Sequence, residues 1–203
     1  MATISDKQFN IITSYYQEGK SVREISEKLN TTIDAVYYFF RKNNIPRRSP
    51  KENNELQFKR KKATFQVKNN LSNEEEILRV SGVMLYWAEG SKWPGEVIVD
   101  FANSDSVMIK IFLDFLRRIC RIDEEKLRAF LYCYDNQDVK GLLNFWSRIT
   151  KIPKKQFTKP YIKQSIENKV GKMKNGLVHI RYNDKKLLLL IRHWIKEFEI
   201  KYN

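Results

Sequence analysis

Three stretches near the N-terminal end carry apolar residues at helical spacing. Over 7–18, Phe9, Ile11, Ile12, Tyr15 and Tyr16 gather near one face, and Gly19 ends the run because glycine accepts the left-handed backbone that closes a helix. Ser21 and Glu24 form a capping box for a second helix reaching about Leu29. Thr31 with Asp34 repeats the signal for a third helix over 33–42. That helix is expected to bury Ile33, Val36 and Phe40 and to leave Asp34, Tyr37, Tyr38, Arg41 and Lys42 toward solvent. From 45 to 70 the apolar pattern weakens, and Pro46 and Pro50 are expected to break any continuing helix.

Periodicity returns after Ser72, which with Glu75 caps a long helix ending at Glu89 and Gly90. Its apolar residues lie on two sides: Val80, Val83, Met84 and Trp87 on one, and Leu78, Gly82 and Leu85 with Glu89 on the other, bordered by Ser81 and Ala88. A helix apolar on both sides is buried on both sides, and the small residues of the second face let another backbone come close. Glu89 falls where the helix dipole disfavours negative charge, so it needs a cation or a hydrogen-bond partner. Alternation then predicts strands at 96–101, 127–134 and 176–182. In the second, Leu127, Ala129, Leu131 and Cys133 oppose Arg128, Phe130, Tyr132 and Tyr134; in the third, Val178, Ile180 and Tyr182 oppose Leu177, His179 and Arg181. Helices are expected over 107–120, with Val107, Met108, Ile111 and Phe112 opening its core face, and after Asp138 and Asp184.

Met84-Leu85-Tyr86-Trp87-Ala88-Glu89-Gly90 resembles the end of the LAGLIDADG motif of homing endonucleases, with Leu85, Ala88, Glu89 and Gly90 matching its letters. With the order of elements that follows, the resemblance covers roughly 75–200. It implies an αββαββα domain, here with an inserted helix, in which two such helices pack together. The chain shows one copy, so the resemblance implies a homodimer with Leu78, Ser81, Gly82, Leu85 and Ala88 at its interface. If the protein cuts DNA, the resemblance implies Mg²⁺ held by Glu89 of two subunits, because hard divalent ions prefer carboxylate oxygens. It offers Asp105, by its strand-to-helix position, and Lys92, by nearness in sequence, as further catalytic residues. Glu89 can equally end the helix with Gly90, leaving a protein that dimerises and binds DNA without cutting. The short span from Gly90 to Phe101 departs from the family by leaving little room for a full first hairpin.

The segment from Gly19 to Leu29, followed by the third helix, resembles the helix-turn-helix DNA-binding domain of the resolvase-like and sigma-like variety. That resemblance implies a reading helix in the major groove, presenting Thr32, Asp34, Tyr37, Tyr38, Arg41 and Lys42. A plain three-helix bundle used for protein contacts is the alternative.

Charge agrees with a polyanionic partner: the 203 residues carry a formal net charge of +14 and a pI near 9.7. Between Arg47 and Lys68 lie eight cations against two carboxylates, among them Arg47, Arg48, Lys59, Arg60, Lys61 and Lys62. Such a segment can follow a phosphate backbone or serve as a solvated tether. The stretch 151–174 is also basic, with Lys154 and Lys155 near the interleaved rings of Phe157 and Tyr161. Lysines meet phosphates and rings stack on exposed bases, or the two rings simply anchor a loop. No run approaches the ~18 apolar residues of a membrane span, and no secretory signal is visible, so a cytoplasmic protein without a membrane partner is expected. Cys120 and Cys133 read as buried free thiols, and His179 and His193 as histidines without companion ligands. The expected layout is α+β: a three-helix unit at 1–48, a basic linker at 49–70 and the LAGLIDADG-like domain at 71–203. A ligand-sensing or oligomerisation domain controlling a transcription regulator is a further reading of the second part.

Overall fold

At Gly19 the backbone takes φ +84°, closing helix α1 (Phe9–Gln17) as the sequence requires. The computed structural model describes residues 8–165 and 173–203. Lys7, expected to open the first helix, lies outside them, as do Glu167, Lys169 and Lys172 of the second basic stretch. The described residues form eight α-helices and one four-stranded mixed sheet, divided between two compact units, Met1–Lys62 and Ala63–Asn203. Among them no helix is long and apolar enough to cross a membrane.

In the first unit α2 (Val22–Lys28) carries the full Ser21/Glu24 capping box, and α3 (Ile33–Lys42) is capped by Thr32, whose side chain accepts from the Ala35 N–H. Asn30, at φ +48°, turns the chain between them, a conformation asparagine tolerates better than most residues. Ile12, Ile25, Val36, Phe39 and Phe40 make the core. Phe39 joins the core in place of the expected Ile33, which is 42% exposed at the first position of α3.

The expected linker does not stay a linker. Pro50 opens helix α4 (Pro50–Arg60) instead of breaking one, because proline's missing N–H costs nothing at a first helical position and Ser49 with Glu52 caps the turn. Leu56 packs within 3.4 Å of the site a side chain at Gly19 would take. Arg60 donates to the Gly19 carbonyl and to both oxygens of Glu24, so α4 belongs to the first unit. Further on, Thr64 to Lys68 belongs to the second. The Thr64 N–H and hydroxyl donate to buried Asp184 at 2.8 and 2.9 Å, and the Gln66 and Lys68 N–H groups donate to the carbonyls of Cys120 and Ile119.

The second unit begins its regular structure with α5 (Asn73–Glu89), then β1 (Val99–Asn103) and α6 (Ser106–Asp114), which continues as a π-helical turn over Phe115–Ile119. β2 (Leu127–Tyr134), α7 (Val139–Thr150), β3 (Tyr161–Lys163), β4 (Leu177–Tyr182) and α8 (Lys185–Tyr202) follow. The strands lie in the order β1-β4-β2-β3; β4 is antiparallel to both neighbours and β3 runs parallel to β2. Alternation sends Val99, Phe101, Leu127, Ala129, Leu131, Val178, Ile180 and Tyr182 into one core with Val83, Phe112, Phe115, Trp146 and Leu188. Burying each large apolar side chain contributes roughly 1.5–3 kcal/mol.

Two expected faces shift, one on a strand and one on a helix. The first strand starts at Val99, leaving Val97 49% exposed, because Glu96 folds back to accept from the Val97 and Ile98 N–H groups. On α6 the inward residues are Ile109, Phe112 and Leu113, whereas Val107 and Met108 are 55% and 38% exposed. The parallel edge strand β3 falls in the basic stretch, where no alternation announces it.

Candidate nucleic-acid interface

The outward side of α3 is polar and basic. Asp34, Tyr38 and Arg41, at helical spacing, are exposed, as is Lys42, and Tyr38 keeps 60% of its surface. Tyr37 is half-buried against the core, and the Arg47 guanidinium lies 3.9 Å from its ring centroid. That stacking holds Arg47, just past the helix, beside the α3 surface. Thr32 is spent on its cap, although it too is exposed.

The remaining cations of 47–62 divide by role. Arg48 lies 3.7 Å from the Tyr16 ring centroid, its main-chain N–H donates to the Tyr16 hydroxyl, and its guanidinium donates to the carbonyls of Tyr16 and Lys20. It is a packing residue, not an outward phosphate contact. Arg60 is paired with Glu24, whose carboxyl is held at about 2, first by the Arg60 hydrogen bonds and then by the Ser21 N–H. Lys59, Lys61 and Lys62 are exposed, at the end of α4 and beyond it. In the second unit, Lys154 and Lys155 open a short turn and are exposed.

Helix α5 resolves its two apolar sides. Gly82, Val83 and Tyr86 are buried; a Cβ on Gly82 would meet the Phe115 Cγ at 2.1 Å. Gly82 is thus filled by its own chain and is not free for a partner helix. Leu78 and Leu85 also pack against their own core. The exposed stripe runs instead through Ile77, 68% exposed, and Trp87, 37% exposed, with exposed Ala88 and half-buried Val80 and Ser81 between, while Met84 packs against the core like Leu78 and Leu85. Of the expected interface only Ser81 and Ala88 lie on it, because 3.6-residue periodicity places 82 and 85 a third of a turn away.

Glu89 ends α5 and is exposed. Gly90 crosses close under Tyr86, where a Cβ would lie 2.5 Å from the Tyr86 carbonyl oxygen, and bridges to Phe101. The two companions expected for Glu89 have other work. Lys92 donates to the Ala88 carbonyl at 3.3 Å, neutralising the negative helix end, and Asp105 caps α6 by accepting from the Val107 and Met108 N–H groups. Among the described residues no group of three His, Cys, Asp or Glu side chains is placed to hold a metal ion.

The sheet face away from the core holds residues whose sequence signal is bare alternation. Asp100 Oδ1 lies 2.8 Å from His179 Nδ1, and Oδ2 accepts from Arg181 Nε at 2.8 Å. Burial pushes the Asp100 carboxyl up, but His179 and Arg181 outweigh it and hold it below the usual carboxylate range. Arg181 lies 4.8 Å from the Phe130 centroid, and Phe130 meets His179 edge-on. On β2 and β3, Tyr132 and Tyr161 stack at 5.2 Å. The signal is present as the even-numbered positions of β2 and the odd-numbered positions of β4, but only strand pairing gathers them.

Comparison of the chain with models of protein families, with curated proteins and with solved structures finds no match in any of the three.

Proposed function

We propose that this protein binds duplex DNA as a homodimer, with α3 lying in the major groove. The observation that carries the reading is the outward side of α3, where Tyr38, Arg41 and Lys42 stand exposed on a short helix fixed to α2 by a tight turn, with Arg47 stacked beside it. A helix of this width fits the major groove, tyrosine and arginine reach base edges and phosphates, and the net charge of +14 supplies the long-range attraction. The exposed apolar stripe of α5 is the surface for the second copy. From α5 to α8 the order is helix, strand, helix, strand, helix, strand, strand, helix, which departs from the expected αββαββα in having one strand after the first helix and a parallel β2/β3 pair. Kinship with the LAGLIDADG domain would need a reduced form, with the Gly90–Phe101 bridge in place of the missing strand.

Cleavage is the second reading, favoured by the exposed Glu89 at the end of α5. It would require Mg²⁺ shared by Glu89 of two copies. Because Lys92 and Asp105 are committed to helix ends, binding without cutting is the stronger reading.

The test is titration of a fluorescent DNA duplex library with the Arg41→Ala/Lys42→Ala protein at several salt concentrations. Affinity is expected to fall roughly ten-fold or more, with the salt slope shallower by about 0.9 for each phosphate no longer neutralised. Unchanged affinity and slope would remove α3 as the DNA-reading element.

A further inference from the structure

The outward face of the second unit's sheet carries rings and cations together. Register places Tyr132 beside Tyr161 and Tyr134 beside Lys163 across β2 and β3, and Phe130 beside His179 and Arg128 beside Arg181 across β2 and β4. Tyr161 is 54% exposed on the edge strand, its ring lying over Tyr132, while Tyr134 meets Tyr132 edge-on at 6.3 Å. Asp100 is the one carboxylate among the outward positions of these four strands, and it is already shared by His179 and Arg181. The face therefore presents aromatic surface with Lys163 beside it, while the nearest carboxylate past β2, Asp135, accepts from the Ser165 N–H.

We propose that this face binds single-stranded nucleic acid, bases stacking on the Tyr161–Tyr132 ledge and backbone phosphates meeting Lys163, whereas Arg128 is held by the Glu125 and Leu127 carbonyls. The occupant follows from two properties taken together. Cations alone would suit any polyanion, but exposed rings contribute only where a partner offers flat π surface. In a duplex the base faces are stacked on each other and closed to a protein sheet, so the rings would meet sugar and phosphate. In a single strand every base face is open, and stacking is tolerant of sequence. An acidic peptide would match the charge and leave the ledge without its complement. This inference stands apart from the α3 reading, since it concerns other residues, the other unit and another form of nucleic acid.

The experiment uses the full chain and two labelled probes, a 12-residue thymidine oligonucleotide and a duplex, read by fluorescence anisotropy. Tyr161→Ala is expected to weaken oligonucleotide binding roughly ten-fold, the effect of removing one stacked base, while duplex binding stays unchanged. Tyr161→Phe, which keeps the ring, should retain the affinity. Lys163→Gln should make the oligonucleotide's salt slope shallower by about 0.7. Both positions are exposed, so neither change threatens the fold. A uridine oligonucleotide run beside the thymidine one distinguishes RNA from DNA as the source of the strand; loss in Tyr161→Ala for either supports the proposal. Equal oligonucleotide affinity for wild type and Tyr161→Ala overturns it, as does a parallel loss of duplex binding. Loss of oligonucleotide binding in the Arg41→Ala/Lys42→Ala protein alone would also overturn it, by assigning the strand to α3.

Discussion

Phe115 occupies the space that any side chain at position 82 would need: the Cβ of an alanine there would lie 2.1 Å from the Phe115 Cγ. Phe115 is fully buried and opens the π-helical turn of α6, so it has no room to yield. Gly82→Ala should destabilise the second unit by about 1–3 kcal/mol through overpacking, despite alanine's better helix propensity. A lower urea midpoint is the expected observation; an unchanged or raised midpoint would show that Phe115 moves aside freely.

Glu24 and Arg60 join α4 to the first helical unit in a way that pH should expose. The carboxyl lies at about 2 in the folded protein against an ordinary 4.5, so the pair's contribution is complete above pH 4.5 and is lost as pH falls toward 2. Arg60→Gln should flatten that acid limb. At neutral pH the change should be small, because both side chains are more than a third exposed and solvent screens them. Amide exchange of α4 at pH 3 and pH 6 measures it, and an equal effect at both would refute the electrostatic account.

The stripe of α5 makes a prediction about assembly. Ile77 is 68% exposed, so Ile77→Lys should leave folding intact while halving the mass seen by light scattering. A wild-type monomer, or a variant that keeps the dimer mass, would remove α5 as the interface.

Glu89 is the residue on which cutting and non-cutting divide. Binding without cleavage predicts that wild type and Glu89→Gln leave supercoiled plasmid equally intact with Mg²⁺. Nicking by wild type that Glu89→Gln abolishes would establish the second reading in its place.

Much of the layout is written locally. Gly19, the Ser21/Glu24 box, the Ser72/Glu75 box and the alternation of 127–134 and 177–182 each specify an element through interactions within a few residues, and the structure contains those elements. Pro50 misleads because the same missing N–H that breaks a helix interior is harmless at its first turn. Nearness in sequence draws Lys92 toward Glu89, and the family resemblance draws Asp105 by its strand-to-helix position, whereas each serves the nearest helix end.

The sequence by itself determined the net charge of +14 and most of the helical and strand segments, α4 and β3 excepted, since propensity, capping and alternation act over short range. Only the tertiary structure decided that Phe115 takes the groove at Gly82, that Arg48 packs on Tyr16 and Arg60 pairs with Glu24, and that Tyr132 stacks with Tyr161 while Asp100 pairs with His179 and Arg181. Those partners are separated by tens of residues. Their meeting is fixed by strand register and by which side chain fills a shared volume, and neither is encoded within any single segment.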